Sequence, residues 1–320
     1  MASNSHSLVL GCATHLPASH FLPFLTSLRG NGYQGRVCLF VSALSDSCRR
    51  TLLQWTDELV DVEETLGSAR PCGALLGALR AVRNTRRVRR VYPSVFRFAT
   101  AVMAAQGRQR RDLELPLEGL QALRFGLYLD YIRLRCSDAD LVLLSDIRDV
   151  LFQRDPFDGV RPGLHLYLEP ERVIIGSDPF NSRWIRNLYG RRTVAALADK
   201  IVSCSGTVLG SARDIKRYLS AMSHEIGRHS RPMGSHDQGV HNYLLYTGQL
   251  EPAEIHQNGI SDVLTMGLER NIRTDTDGTV LNNDGSIPGI VHQYDRHPEL
   301  REALHAKWLP CEPTATPLKP

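Results

Sequence analysis

Short apolar runs alternate with helix-patterned segments along this chain, and that alternation restricts the fold more than any other feature. Ser7–Ala13 and Arg36–Ser42 read as strands, with a helix across His20–Gly30 between them. A second helix begins after Asp46 and passes Arg50, Leu53 and Trp55 before a third strand near Leu59–Glu63. The runs are continuously apolar, so they suit strands covered on both faces. Strand–helix–strand order then favours a mainly parallel sheet between helices. Downstream, Pro93–Ala105, Leu117–Arg133, Asp214–Arg228 and Asp237–Tyr246 carry helical patterning. Leu141–Leu144, His165–Leu168, Ser203–Leu209 and Gly289–His292 read as further strands. The expected fold class is α/β: one Rossmann-like domain over residues 1–310 with a mixed, mainly parallel central sheet, and a loose tail at 311–320.

A chain of 320 residues is long enough for one large α/β domain. Its net charge of only +4 selects no partner class. Seven cysteines, an odd number, form no CxxC pair, which suits reduced thiols in a cytoplasmic protein. The amino terminus has no basic segment, and no apolar run approaches the roughly 20 residues of a membrane span. Peripheral association with an anionic membrane is outside the reach of that test. There is no GxxxxGK[ST] phosphate loop, GxSxG elbow or HExxH helix, and Gly11 and Gly30 make no dinucleotide fingerprint. Glu169 and Asp178 could be glycosidase carboxylates, but no sequence rule fixes the separation that chemistry needs.

The segment DLVLLSDIRDVLFQRD, residues 140–155, carries the strongest chemical signal. An apolar strand delivers Asp146 and Asp149 to its carboxyl end, where open α/β sheets bind ligands. Carboxylate oxygens there suit Mg2+ or Mn2+, and such an ion can hold a diphosphate. The competing reading has one aspartate capping a turn and the other paired with Arg148 or Arg154. A second signal, RAVRNTRRVRR at residues 80–90, concentrates arginine. It could meet nucleic acid, an anionic membrane or an anionic acceptor, or be a solvated helix. No RNA-binding aromatic signature or zinc module accompanies it, so a nucleic-acid partner is disfavoured.

With four segments taken together, the chain resembles nucleotide-sugar-dependent glycosyltransferases of the A-type (GT-A) fold. The resemblance rests on SDIRDVLFQRDPF at Ser145–Phe157. It is supported by CSGTVLGS at Cys204–Ser211, HDQGVHNYLLY at His236–Tyr246 and VHQYDRHPEL at Val291–Leu300. It covers roughly residues 7 to 300. Members commonly carry Asp-x-Asp, whereas this chain spaces its acids Asp-x-x-Asp. Asp149 resembles the last acid of that motif, and the first would fall on Ile147, leaving Asp146 to bind metal or ribose.

The resemblance implies a metal set of Asp146, Asp149 and His292, with Mn2+ expected and Mg2+ the alternative. It implies Asp237 as the residue working at the sugar or acceptor, with Gln238 beside it. Helix capping by Asp237 is the structural alternative, and His292 could instead serve a buried carbonyl. Gly206 would leave room for the donor sugar. Thr14 ends the first strand, where base and ribose are expected. Arg97 and Arg124 are candidates for phosphate, with Tyr128 on the Arg124 face by i,i+4 spacing. The implied activity is hexosyl transfer from a nucleoside-diphosphate sugar, with UDP the family-based preference. The acceptor, whether glycan, small molecule or protein, is unspecified. Retaining chemistry fits the late histidine and DQG pattern better than inversion. Donor binding without turnover would instead define a nonenzymatic sensor.

Overall fold

The computed structural model describes residues 6–65, 95, 98, 120–229 and 236–309. In chain order the first elements are β1 (Ser7–Thr14), α1 (Leu22–Gly30), β2 (Arg36–Ser42), α2 (Asp46–Leu52), β3 (Glu58–Asp61) and α3 (Val62–Thr65). Next come α4 (Leu120–Arg135), β4 (Leu141–Ser145), β5 (Val150–Phe152), β6 (Leu164–Leu168), α5 (Pro179–Tyr189) and α6 (Arg191–Ala196). They are followed by β7 (Ser203–Ser211), α7 (Ala212–Arg228), α8 (Asp237–Tyr246), β8 (Glu254–His256) and β9 (Val263–Thr265). The last are β10 (Arg273–Thr274), β11 (Val280–Leu281), β12 (Ile290–His292) and α9 (Pro298–Trp308).

The central sheet has the order β3-β2-β1-β4-β7-β6-β8. It is mixed and mostly parallel: β7 runs antiparallel to β4 and β6, while the remaining neighbours run parallel. Period-two alternation sends side chains to opposite faces. Leu8, Leu10, Cys38, Phe40, Val142 and Leu144 join one core with Phe125 and Ile132 of α4 and Ile215, Leu219 and Met222 of α7. Val9, Ala13, Val37, Leu39, Val41 and Leu143 join the other, with Phe24, Leu25 and Leu28 of α1. Both faces are covered, which is why these strands are apolar throughout.

The expected strands and helices are present wherever they fall on described residues, with shifted ends. The third strand does not run to Glu63. It stops at Asp61, whose Oδ1 accepts hydrogen bonds from the amides of Glu63 and Glu64 and opens α3. The helix after Asp46 ends at Leu52, so Trp55 lies beyond it. Pro93–Ala105 apart from Val95 and Phe98, the arginine-rich stretch 80–90 and the tail 311–320 lie outside the described residues. Cys12, Cys38, Cys48, Cys136 and Cys204 are free thiols. Among the described residues no helix is long and apolar enough to cross a membrane.

A second sheet, β5-β12-β9, has direct consequences for the site. Its first strand is only three residues long and follows Asp149 immediately. It pairs antiparallel with β12, setting His292 opposite Val150, and the amide of Gln293 donates to the carbonyl of Asp149 at 2.7 Å.

Candidate metal and ligand site

From β1 the chain winds outward through β2 and β3, while β4 lies on the other side of β1. The strand order therefore reverses between β1 and β4, the place where an open α/β sheet leaves a crevice beyond its carboxyl ends. There a cleft of about 940 Å³ is lined by Thr14 from β1, Arg124 from α4, and Asp146 and Asp149 after β4. Glu169, Asp237 and Gln238 line it too. Its volume matches that of small-molecule and cofactor sites.

Asp146 and Asp149, which line the cleft, converge with the buried His292, one ligand atom from each lying within 4.8 Å of the others. His292 Nε2 lies 3.9 Å from Asp146 Oδ2 and 3.8 Å from Asp149 Oδ1. His292 is 1% exposed, and this nitrogen has no hydrogen-bond partner among the described residues. Leaving such a group unsatisfied costs about 1–3 kcal/mol. Its other nitrogen, Nδ1, lies 3.4 Å from Thr207 Oγ1 and 3.6 Å from Cys204 Sγ. A proton on Nδ1 leaves the Nε2 lone pair facing the two carboxylates, the tautomer a metal ligand needs. The donor set is thus geometrically able to hold a divalent cation. Two carboxylates and one imidazole suit Mn2+ or another transition ion, while Mg2+ prefers oxygen throughout.

The unusual acid spacing has a structural reason. The side chain at position 147 packs against Gly11 of β1 and into the core with residues of β1 and β4. Asp146 faces His292 instead. The amide of Asp146 donates to the carbonyl of Gly206 at 2.7 Å, continuing the β4–β7 pairing past Ser145. Gly206 itself lies within β7 rather than in a loop. A Cβ there would lie 2.5 Å from His292 Cε1 and 2.6 Å from Asp146 Oδ2. The space this glycine leaves is therefore filled by the candidate ligands, which corrects its expected role as room for a sugar.

Arg124 joins this cluster to the next group of residues. Its Nη1 donates to Asp146 Oδ1 at 2.6 Å and its Nη2 to Asp237 Oδ2 at 2.8 Å. Arg124 and Asp237 have side chains only 11% and 10% exposed, where removing one partner of an ion pair is costly. Burial opposes ionisation of Asp146, but Arg124 and His292 outweigh it and hold its carboxyl below the ordinary range. Burial raises Asp149 above that range, with Asp146 and Asp295 adding to the rise against His292. Burial also raises Asp237, although Arg124 opposes it. Asp237 is the first residue of α8, after His236 at the N-cap, which makes no side-chain cap bond; its carboxylate also accepts from the amide of Gln238.

Thr14, Arg124, Asp146, Asp149, Asp237 and Gln238 all line the cleft. Tyr128 does not meet a ligand there: it is buried in the α4–sheet core, and its hydroxyl lies 2.8 Å from Cys12 Sγ. The i,i+4 spacing was right about the helix face, but Tyr128 sits deeper than Arg124. Arg97 lies outside the described residues.

Three further features complete the cleft. Arg148 and Arg296 flank Asp149 at 3.7 and 4.0 Å, and with Arg172 and Arg270 they form a cationic rim. Glu169 follows β6 and is 6% exposed; burial, aided by Asp178, raises its pKa to about 7. It accepts a hydrogen bond from Gln238 Nε2 at 3.2 Å. Phe180 and Trp184, near the start of α5, form an aromatic wall with ring centroids 6.0 Å apart. A strand ending in an acid, YLEP, was the available signal for Glu169, since the same pattern exposes Asp146. No protein-family model matches this chain, and no curated protein matches it.

Proposed function

We propose that this protein is a divalent-metal-dependent glycosyltransferase that moves a hexose from a nucleoside-diphosphate sugar, most simply a UDP-sugar, to a hydroxyl acceptor. One observation carries the reading: a buried, unpartnered His292 Nε2 faces Asp146 and Asp149 at the sheet's reversal point, beneath an arginine rim. An anionic leaving group and a cation on the floor explain both the acids and the arginines.

When bound, a divalent ion would supply charge stabilisation for the departing diphosphate. Asp146, Asp149 and His292 would hold it. Arg148 and Arg296 reach toward the same space and would add fixed positive charge where phosphate charge develops. Thr14, at the end of β1 and lining the cleft, would meet the nucleoside. Arg124 restrains Asp146 and Asp237 together, so the floor and the sugar-facing carboxylate move as one unit. Arg124 engages one oxygen of Asp237 and leaves the other for sugar or acceptor hydroxyls. Retention by a front-face path is the stereochemistry the resemblance favours. Glu169, Gln238 and the Phe180–Trp184 wall offer polar edges and apolar ring faces on the acceptor side, a surface suited to a carbohydrate.

The test is a scan of sugar nucleotides with Mn2+, reading nucleoside-diphosphate release and thermal stabilisation together. One donor should both stabilise the protein and be hydrolysed slowly without an acceptor. Stabilisation without release under any acceptor would turn the reading to a nonenzymatic sensor. Salt-sensitive RNA binding with no donor response would overturn it in favour of a nucleic-acid-binding protein.

A further inference from the structure

At the outer edge of the central sheet, β6 and β8 run parallel in a register that sets His165 beside Glu254 and Tyr167 beside His256. Strand side chains repeat every two residues, so all four point to one face. His165 lies at the amino end of β6, whereas Glu169 follows its carboxyl end in the cleft. We propose that His165, Glu254 and His256 form a second metal site, for zinc or a similar borderline transition ion, separate from the cleft.

One donor atom from each residue lies within 4.8 Å of the others. His165 Nε2 is 2.8 Å from the carbonyl oxygen of Arg161, which can only accept. Nε2 therefore carries the ring proton, and in the neutral ring Nδ1 keeps its lone pair. That lone pair faces His256 Nε2 at 2.9 Å, and Nδ1 lies 3.8 Å from Glu254 Oε2. A backbone carbonyl that fixes the tautomer is the outer support common to metal-bound histidine. Tyr167 stacks against the His256 ring at 5.0 Å and 23°, holding its plane.

Without an ion, His256 Nε2–H donates to His165 Nδ1. Moving that proton to His256 Nδ1 frees a second lone pair toward the same point. Zinc bonds of about 2.0–2.2 Å in tetrahedral geometry set ligand atoms about 3.4 Å apart. The 2.9 Å pair must open and the 3.8 Å pair close by a few tenths of an ångström, and the Glu254–His256 pair, within 4.8 Å, must close further. Two imidazoles and one carboxylate match zinc and leave a fourth position for water. Arg161, largely exposed and 3.5 Å from Glu254, can release that carboxylate into solvent. The bound ion would tie the edge strand β8 to the sheet interior.

The experiment titrates the chelator-treated full-length protein with Co2+ and with Zn2+. It reads the visible absorption of a four-coordinate cobalt ion and the melting temperature. Wild type and Asp149→Asn should both develop the cobalt band and gain several degrees with Zn2+. In the Asp149→Asn background, where the cleft cluster is disabled, adding His256→Gln should abolish both responses, while His256→Gln alone should keep stabilisation by Mn2+. Glu254→Gln, at a half-exposed position, serves as the fold-preserving variant and should weaken cobalt binding about tenfold or more. Absence of the band in wild type, its loss in Asp149→Asn, or its persistence in the Asp149→Asn/His256→Gln double variant would each overturn the proposal.

Discussion

Two clusters of histidine and carboxylate in this protein look alike in composition and differ in how they are satisfied. At the cleft floor, His292 Nε2 is buried with no hydrogen-bond partner among the described residues and faces two acids at 3.8 and 3.9 Å. At the sheet edge, His165 and His256 already satisfy each other at 2.9 Å. The first cluster keeps an unsatisfied buried nitrogen, so a cation bound there would relieve an existing cost. The second must surrender a hydrogen bond to take an ion. The supporting arginines differ in the same way. Arg124 is buried between Asp146 and Asp237, while Arg161 at Glu254 is largely exposed. The two donor sets therefore differ in satisfaction as well as in chemistry, two carboxylates with one imidazole against two imidazoles with one carboxylate, and the buried floor cluster is expected to be the tighter and more rigid site.

The strongest way to break this contrast is Asp149→Asn. Turnover should fall by roughly a thousandfold, as for loss of a transition-state charge contact, and Mn2+ should no longer raise the melting temperature. Wild-type turnover at limiting Mn2+ would remove Asp149 from the floor cluster. The next effect is Asp237→Asn, which frees Arg124 on one side and loosens the floor. Transfer should fall about a hundredfold through misplacement, and stability by about 1–3 kcal/mol. Single-turnover transfer beside donor calorimetry separates the two: a lower melting temperature with unchanged transfer would leave Asp237 structural. Gly206→Ala puts a methyl group against His292 and Asp146 without removing either ligand. Mn2+ affinity should weaken about tenfold, read by thermal shift, whereas the cobalt response of the edge cluster should not change.

Glu169 gives the smallest and most specific effect. It is buried like Asp149, but its hydrogen-bond partner is the amide of Gln238. Its pKa is about 7 in the fold against an ordinary 4.5. Between those values the folded chain keeps a proton that the unfolded chain has lost. The Glu169 contribution to stability is therefore full below pH 4.5, is lost as pH rises to about 7, and is level above. The decline should be at most roughly 3 kcal/mol. In Glu169→Gln that part of the pH profile should flatten; an unaltered slope would assign the pH dependence to other groups.

How far the sequence was legible depended on whether a signal was local. Continuous apolar runs such as Leu8–Leu10, Val37–Val41 and Val142–Leu144 are demanded by burial on both faces, so strands were readable from the chain alone. Strand ends were less so: Asp61 ended β3 early because its side chain capped α3 instead of extending the ladder. The floor acids were readable too, because an apolar strand that ends in charge must deliver that charge to an edge.

What the sequence by itself determined was the α/β class and the candidate ligands Asp146, Asp149 and His292. Tertiary structure alone decided that they meet. The three-residue strand β5 has too short a pattern to announce itself, yet its pairing with β12 brings Asp149 beside His292 across half the chain. Folding also packed the side chain at position 147 into the core, turned Gly206 into space for the ligands, and drew Tyr128 beneath the cleft. The physical reason is the same each time. Local sequence fixes which groups a strand or helix can present, whereas long-range pairing and packing fix what those groups face.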